Sequence, residues 1–207
     1  MTKKSTKKDT LVPLDKYLAT GIHIGTQRAL DDMDRFIYKT RPDGLAVLDV
    51  SAIDERLETA AKFLARFKPE KIMVVSGRDV GKKPARKFAE TIGAKAIIKR
   101  FMPGSLTNPA FEKHIEPEVL FVVDPGADKQ AVKEAINMNI PIVSLVNSNN
   151  MTQNIDLLVP VNNRGKKSLA LIFWILAREV LKARDEIKDN SDFTLKVEDF
   201  QAESKRK

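Results

Sequence analysis

The stretch that decides the fold spans residues 122–181 and reads VVDPGADKQAVKEAINMNIPIVSLVNSNNMTQNIDLLVPVNNRGKKSLALIFWILAREVL. Apolar runs alternate in it with an amphipathic segment, a polar loop, a basic glycine turn and a long apolar segment. These patterns predict strand, helix, strand, loop, short strand, turn and helix, in that order. Such alternation is typical of a parallel β-sheet whose strands are joined by helices.

The same alternation extends toward the N-terminus. Further strands are predicted at residues 44–50, 72–75, 96–98 and 119–123, and amphipathic helices separate the first three of them. The strands are nearly continuous runs of Val, Ile and Leu, as expected when both faces of a sheet are covered. The sequence therefore predicts an α/β fold with a parallel sheet of about five strands and helices on both faces.

Length and patterning predict one domain with two tails. The chain has 207 residues, enough to bury roughly 70% of its unfolded surface in one packed unit. We expect a single α/β domain at residues 11–184. Residues 1–10 are lysine-rich and predict a disordered basic arm, which is either a solvated tail or an arm that orders on RNA. Residues 185–207 predict a mobile mixed-charge tail.

Composition narrows the partners and the chemistry. The net charge of +8 and the pI of about 9.6 favour a polyanionic partner, either nucleic acid or an acidic membrane surface. A basic protein without a specific partner is the alternative. Because the chain contains no cysteine, disulfides, thiolate nucleophiles and cysteine-ligated zinc are excluded.

No targeting or membrane segment is predicted. The lysines near the N-terminus are not followed by the apolar stretch of a signal peptide. The longest apolar run, at residues 169–177, is shorter than the roughly 20 residues that cross a bilayer. We therefore expect a soluble protein of the cytoplasm that does not bind membranes.

Two glycine-containing loops stand where phosphate-binding loops are found. Residues 76–83, SGRDVGKK, follow a strand and precede a helix. They do not form a Walker loop, because the glycines are one residue too close together and Lys83 replaces the serine or threonine that binds magnesium. The GKKS run from Gly165 lacks the upstream glycine, since Pro160 stands there. A basic loop at a helix start is favoured over a mononucleotide site, although free N–H groups there still attract phosphate.

Acidic residues and histidines give weaker signals. Asp49, Asp124 and Asp128 fall at or just beyond the ends of predicted strands, where ligands bind in open α/β sheets. Magnesium or phosphoacceptor chemistry is conceivable there, but turn formation and helix capping are favoured. His23 and His114 lie in polar stretches without a nucleophile motif, and we interpret them as packing or surface residues. No catalytic residue, cofactor or metal ligand is predicted.

Clusters of lysine and arginine are the strongest functional signal. The predicted βα loops of a parallel sheet meet at one carboxyl edge, and phosphate contacts require only cations and N–H groups. Phe101 is the chief aromatic residue near these loops, so shape and phosphate recognition of folded RNA is favoured over base stacking. A solvated basic face is the alternative. The candidate RNA-binding residues are Arg28, Arg35, Lys39, Arg41, Arg78, Lys82, Lys83, Arg86, Arg100, Arg164, Lys166 and Lys167.

Several motifs resemble those of one protein family, in the same order along the chain. They are the DPGAD run from Asp124, the NIPIV run from Asn139, the NNRGKKS run from Asn162 and the WILARE run from Trp174. Further motifs of the family resemble residues 19–27, 41–45 and 101–108, so that roughly residues 11–182 are covered. On these motifs the chain is identified as a member of the family of the second protein of the small ribosomal subunit, in its archaeal and eukaryotic form.

The resemblance implies a flavodoxin-like core and a structural, rRNA-binding role near the junction of head and body, beside neighbouring small-subunit proteins. It implies no catalysis, no cofactor, no small-molecule substrate and no homo-oligomer. Bacterial members carry a coiled-coil insertion where this chain has only residues 109–117, and eukaryotic members carry a long C-terminal extension. Both absences indicate the archaeal type. A phosphate-handling flavodoxin-like enzyme and an accessory factor that visits the ribosome are the alternatives.

Overall fold

The structure, a computed structural model, describes residues 10–190 and 192–202 of the chain. The elements in chain order are α1 (Leu14–Thr20), β1 (Ile37–Thr40), β2 (Ala46–Leu48), α2 (Val50–Ala65), β3 (Ile72–Val75), α3 (Asp79–Ile92), β4 (Lys95–Ile97), β5 (Val119–Val122), α4 (Lys129–Asn137), β6 (Ile142–Val146), β7 (Leu157–Pro160) and α5 (Lys166–Ala183). Short 3₁₀ turns are found at Asp31–Phe36, Pro69–Lys71 and Val197–Phe200. Among these described helices, none combines the length and the apolar character that a bilayer crossing requires.

The five-stranded sheet is parallel throughout and has the strand order β4-β3-β5-β6-β7. This is the flavodoxin-like order, so the predicted fold class is confirmed. The chain leaves β3 toward β4 on one side and later returns to β5 on the other side. Where the strand order reverses in this way, the loops diverge and leave a crevice at the carboxyl ends of the two strands.

Helices cover both faces of the sheet, as predicted. On one face α2, α3 and α5 pack against the strands, and the rings of Phe88, Phe121 and Phe173 meet with centroid separations of 5.3 to 5.8 Å. On the other face α4 packs beside a loop that carries Phe101 and Leu106. Because both faces are covered, the central strands are buried on both sides, which explains their continuous apolar runs.

The strand predicted at residues 44–50 does not join the sheet. It is present as β2, which pairs antiparallel with β1 in a separate hairpin. Gly44 in the connecting turn has a φ of 80°, which favours glycine, and its N–H donates to the Arg41 carbonyl at 2.9 Å. This local reversal pairs β2 with its neighbour in sequence. The predicted cap is confirmed, because Asp49 accepts a hydrogen bond from the Ser51 N–H at 3.0 Å.

A buried glutamate holds the loop that covers the second face. Glu134 of α4 is 3% exposed. It accepts hydrogen bonds from the N–H groups of Gly104 at 2.8 Å and Leu106 at 3.0 Å, and from the Gln130 side chain at 2.8 Å. Burial by itself would raise the pKa of Glu134, but these hydrogen bonds to the charged form outweigh burial and lower the pKa.

We expect Glu134→Gln to destabilise the protein at neutral pH by about 2 kcal/mol, because hydrogen bonds to a charged acceptor are lost. The pKa of Glu134 is lower in the folded protein than in the unfolded chain. The stabilisation by the charged carboxylate is therefore complete above the unfolded pKa and is lost as the pH falls through the folded pKa. Thermal unfolding of both proteins from neutral pH to about pH 3 measures the effect. The two curves should converge at low pH, and a difference that stays constant would contradict this role.

The C-terminal segment packs on the face formed by α3 and α5. Phe200 is fully buried, the Phe193 and Trp174 rings meet edge to face at 5.8 Å, and Trp174 Nε1 donates to the Leu195 carbonyl at 2.7 Å. The sequence predicts a mobile tail from residue 185, because residues there lack a helical period. In the structure the segment packs against the helices without forming an α-helix. We propose that the tail is docked as far as residue 202. Residues 1–9 of the predicted arm and residues 203–207 lie outside the described residues.

Phe200→Ala should lower the free energy of unfolding by about 3 kcal/mol, because it empties a buried site between the segment and the helices. It should also make the C-terminal segment an early site of proteolysis. Glu198→Ala in the same segment is the matched control, since Glu198 is exposed, and it should change stability by less than about 0.5 kcal/mol. Urea unfolding and limited proteolysis measure both effects. If Phe200→Ala unfolds like the parent protein, the segment does not dock.

Candidate nucleic-acid interface

Two of the chain's own carboxylates lie at the crevice between β3 and β5. Asp128 turns from the start of α4 toward the loop after β3, where its two oxygens lie 2.9 and 3.2 Å from the Gly77 nitrogen. This approach requires glycine, because a Cβ on Gly77 would lie 2.6 Å from Asp128 Oδ1. The expectation that the Asp128 side chain caps α4 is wrong, since it makes no such hydrogen bond and binds the neighbouring loop instead.

Asp124, just after β5, joins three loops of the same edge. Its carboxylate is 1% exposed and forms an ion pair with Arg78 in the loop after β3. It also accepts the Gly126 N–H at 2.9 Å and Asn150 Nδ2 at 3.0 Å. The predicted turn at Asp124 is confirmed by the bond to Gly126, but the contacts with Arg78 and Asn150 are long-range ones that spacing along the chain could not indicate. With three donors, this buried carboxylate is fully satisfied.

A carboxylate already occupies the backbone N–H that a phosphate would use in this crevice. Burial raises the pKa of Asp128; the Gly77 N–H and the Arg78 guanidinium oppose this effect, and the nearby Asp124 carboxylate adds to it. Carboxylates thus occupy the place where a flavodoxin-like sheet binds phosphate, and the N–H of Gly77 is already bonded. Within residues 10–190 and 192–202, no group of three or more acidic or histidine side chains is arranged to hold a metal ion.

Three of the predicted RNA-binding residues surround this crevice. Arg78, Lys82 and Arg100 line a cavity of about 560 Å³ beside Asp128. Arg78 and Lys82 are each paired with a carboxylate, whereas Arg100 is exposed and its side chain has no partner in the described part of the chain. Phe101 also lines the cavity but is only 5% exposed. It is therefore not the exposed aromatic residue that the sequence indicates.

A second groove brings two of the predicted clusters together. The basic side of α3 and the first residue of α5 line a cavity of about 620 Å³, which the C-terminal segment borders through Asp199. The cations that line this α3 groove are Lys82, Lys83, Arg86, Lys87 and Lys166. The turn before α5 therefore lies beside α3 and forms one basic surface with it. The contribution of Asp199 was not predicted, because it follows the predicted domain in sequence.

Two asparagines hold the turn before α5. Asn162 Oδ1 accepts the N–H groups of Arg164 at 3.1 Å and Gly165 at 3.2 Å. Asn163 is fully buried and donates to a β6 carbonyl at 3.2 Å. α5 is buried along most of its length and fixes the other end of the turn. The predicted RNA-binding residues that are exposed on it are Arg164, Lys166 and Lys167.

The remaining four candidates form a separate patch beside the loop after β6. They are Arg28, Arg35, Lys39 and Arg41, and all four are exposed. Ser148 anchors their segment to the carboxyl edge: its hydroxyl accepts the Thr26 N–H at 2.8 Å and its carbonyl accepts the Leu30 N–H at 2.9 Å. These contacts join residues 26–30 to the carboxyl edge, and none of the four candidates lines the crevice or the α3 groove.

The two histidines lie outside these sites. Burial lowers the pKa of His23, which keeps the ring neutral at about pH 7. His114 Nε2 lies 3.3 Å from Glu116 Oε1 in the loop before β5. Neither histidine lines the crevice or the α3 groove, which supports their interpretation as packing and surface residues.

Comparison with known proteins agrees with these features. The model of the Ribosomal protein S2 family matches residues 17–116 and 111–183 of the chain. The Small ribosomal subunit protein uS2 of Korarchaeum cryptofilum (strain OPF8), an archaeon, is 50% identical over 193 residues, which cover 93% of this chain and 89% of that protein. Residues 109–117 contain no helix. The chain therefore belongs to the Ribosomal protein S2 family, whose members are structural proteins of the small ribosomal subunit and not enzymes.

Proposed function

We propose that this chain binds small-subunit rRNA with the carboxyl edge of its sheet, through contacts to phosphates and to the shape of folded RNA. In this role it is a structural constituent of the ribosome in the cytoplasm, near the junction of the head and body of the small subunit. Neighbouring small-subunit proteins are its other partners. We expect no homo-oligomer and no small-molecule substrate.

The observation that carries the proposal is the separation of charge at this edge. The carboxylates of Asp124 and Asp128 are buried inside the crevice, whereas the cations around it are at the surface. Six of the predicted RNA-binding residues are exposed and have no side-chain partner among the described residues, namely Arg28, Lys39, Arg86, Arg100, Arg164 and Lys167. Cations of this kind release their counterions when they meet phosphates, which favours binding to a nucleic acid.

The distribution of these cations suits a polymer better than a single nucleotide. They lie on the hairpin segment, on α3, in the loop after β4 and in the turn before α5. A nucleotide would occupy the crevice alone, and that crevice already holds two carboxylates. An extended phosphate backbone can contact several of these elements at once.

A structural constituent is distinguished from a visiting accessory factor by how firmly it is held. Small subunits that carry the protein are washed in high salt and sedimented. A constituent should stay with the particle, whereas an accessory factor bound only through surface charges should be released.

Changing Arg164, Lys166 and Lys167 together to glutamine should weaken rRNA binding. Each phosphate contact contributes about one unit to the slope of log affinity against log salt, so the slope should fall by roughly two to three units. Filter binding to deproteinised small-subunit rRNA over a salt series measures this slope. Because the three side chains are exposed, the free energy of unfolding should change by less than about 0.5 kcal/mol for each of them.

The matched control changes Lys68, Lys71 and Lys95 to glutamine. These lysines stand just before β3 and at the start of β4, at the amino edge of the sheet, and they carry the same total charge. We expect the control variant to keep most of the salt slope of the parent. Equal losses in the two variants would show that the turn before α5 contributes only diffuse positive charge.

ATP, GTP and reduced nicotinamide should neither bind at micromolar concentration nor be turned over, because the glycine motif is incomplete and Asp128 already accepts the Gly77 N–H. Equilibrium dialysis of the purified protein measures this. Micromolar binding that Asp124→Asn or Gly81→Ala abolishes would instead support the phosphate-handling enzyme.

A further inference from the structure

A bulge in β1 leaves one residue of the hairpin without a partner. Ile37 lies opposite Leu48 and Lys39 lies opposite Val47, so Tyr38 is an extra residue in its strand. A β-bulge bends the strand and changes the direction in which the extra side chain points. The direction of the Tyr38 ring is thus set by the pairing of the hairpin.

The Tyr38 ring is exposed although the two residues before it are not. Phe36 is buried and Ile37 packs against the core. Tyr38 is 71% exposed, the largest value among the big apolar side chains that the structure describes. No hydrogen bond or ring contact holds its side chain within the described residues. Because water is an unfavourable neighbour for an aromatic face, such a ring is suited to a flat partner that covers it.

The hairpin that carries the ring is held in place. At its tip the Arg41 N–H donates to the Leu45 carbonyl at 2.9 Å. On the other side of β2 the Gly25 N–H donates to the Ala46 carbonyl at 2.9 Å, and the Ala46 N–H donates to the Thr26 carbonyl at 3.1 Å. A partner that binds this pre-formed platform therefore orders little of the chain, which favours binding.

The exposed cation beside the ring favours RNA over a protein partner. Lys39 follows Tyr38 directly and has no side-chain partner among the described residues. Arg35 lies over the Phe36 ring at 4.8 Å in a 3₁₀ turn that also carries three aspartates, and Arg41 is paired with Asp43 at 3.5 Å. Single-stranded nucleic acids bind where an aromatic ring stacks on a base and nearby cations contact the backbone. A protein partner would require more apolar surface around the ring than the polar residues that follow it provide.

We propose that the Tyr38 ring stacks on an unpaired base of the small-subunit rRNA, with Lys39 and Arg35 on the flanking phosphates. This contact rests on the proposed rRNA binding and adds recognition of a base to the phosphate contacts. It differs from the expectation drawn from the sequence, in which Phe101 is the chief exposed aromatic residue and no stacking is predicted. Phe101 is only 5% exposed, whereas Tyr38 is exposed and can stack on a base.

Affinity for deproteinised small-subunit rRNA tests the contact in four proteins. Tyr38→Leu keeps apolar bulk but removes the aromatic face, and it should weaken binding by roughly 5- to 100-fold. Its salt slope should equal that of the parent, because no charge changes. Tyr38→Phe keeps the face and should bind like the parent. Met138→Ala is the matched control, since it removes a side chain that is 45% exposed at the end of α4, at the amino edge of the sheet, and it should also bind like the parent.

Chemical probing of the rRNA gives an independent readout. The parent and Tyr38→Phe should protect the 2′-OH of one unpaired nucleotide from acylation, because stacking on the ring restrains that nucleotide, and Tyr38→Leu should leave it reactive. If Tyr38→Leu binds the rRNA with the affinity of the parent and gives the same protection, the stacking proposal is overturned. The salt-dependent binding, and with it the proposed function, would still stand.

Two other outcomes would also overturn the stacking. Loss of a neighbouring protein from reconstituted particles containing Tyr38→Leu, with unchanged rRNA affinity, would assign the ring to a protein interface. If the parent shows no salt-dependent rRNA binding, the proposed function fails and the stacked base fails with it.

Discussion

The carboxyl edge of the sheet depends on one buried carboxylate. Asp124 binds Arg78 from the loop after β3 and Asn150 from the loop after β6, and Asn150 Oδ1 in turn accepts a hydrogen bond from Asn163 after β7. Burying a carboxylate is costly unless hydrogen bonds satisfy it, and here they do. The bonds that satisfy Asp124 therefore join the loops after β3, β5 and β6, and the bond between Asn150 and Asn163 adds the loop after β7.

This arrangement determines what the edge can bind. In a flavodoxin-like sheet the crevice where the strand order reverses is the natural place for a phosphate, but here Asp128 already accepts the Gly77 N–H and Asp124 is paired with Arg78. Cations elsewhere on the carboxyl edge, such as Arg100 and Arg164, are left facing solvent. A surface whose carboxylates are buried and paired and whose cations are exposed is suited to the backbone of a folded RNA, in agreement with the family of structural ribosomal proteins to which the chain belongs.

The sequence predicted the features that local pattern controls. Continuous apolar runs identified the strands of the sheet, and a turn sequence identified the bend at Asp124. It could not show that β2 leaves the sheet, since an apolar run does not reveal its pairing partner. Nor could it show that Asp128 binds Gly77, because their loops meet only in the folded protein. The exposure of Tyr38 depends on the register of the hairpin, which the sequence does not reveal. The burial of Phe200 depends on packing of a segment that has no helical period to indicate it.

The edge that faces the rRNA can be identified directly, because the chain contains no cysteine and a single introduced cysteine can carry an iron–EDTA probe. Lys167→Cys places the probe at the carboxyl edge, and Lys95→Cys places it at the amino edge. Each labelled protein is assembled into small subunits, and the cleavage of the rRNA by hydroxyl radicals is mapped. Strong cleavage from position 167 with little from position 95 is the predicted result. Cleavage from position 95 with none from position 167 would contradict binding through the carboxyl edge.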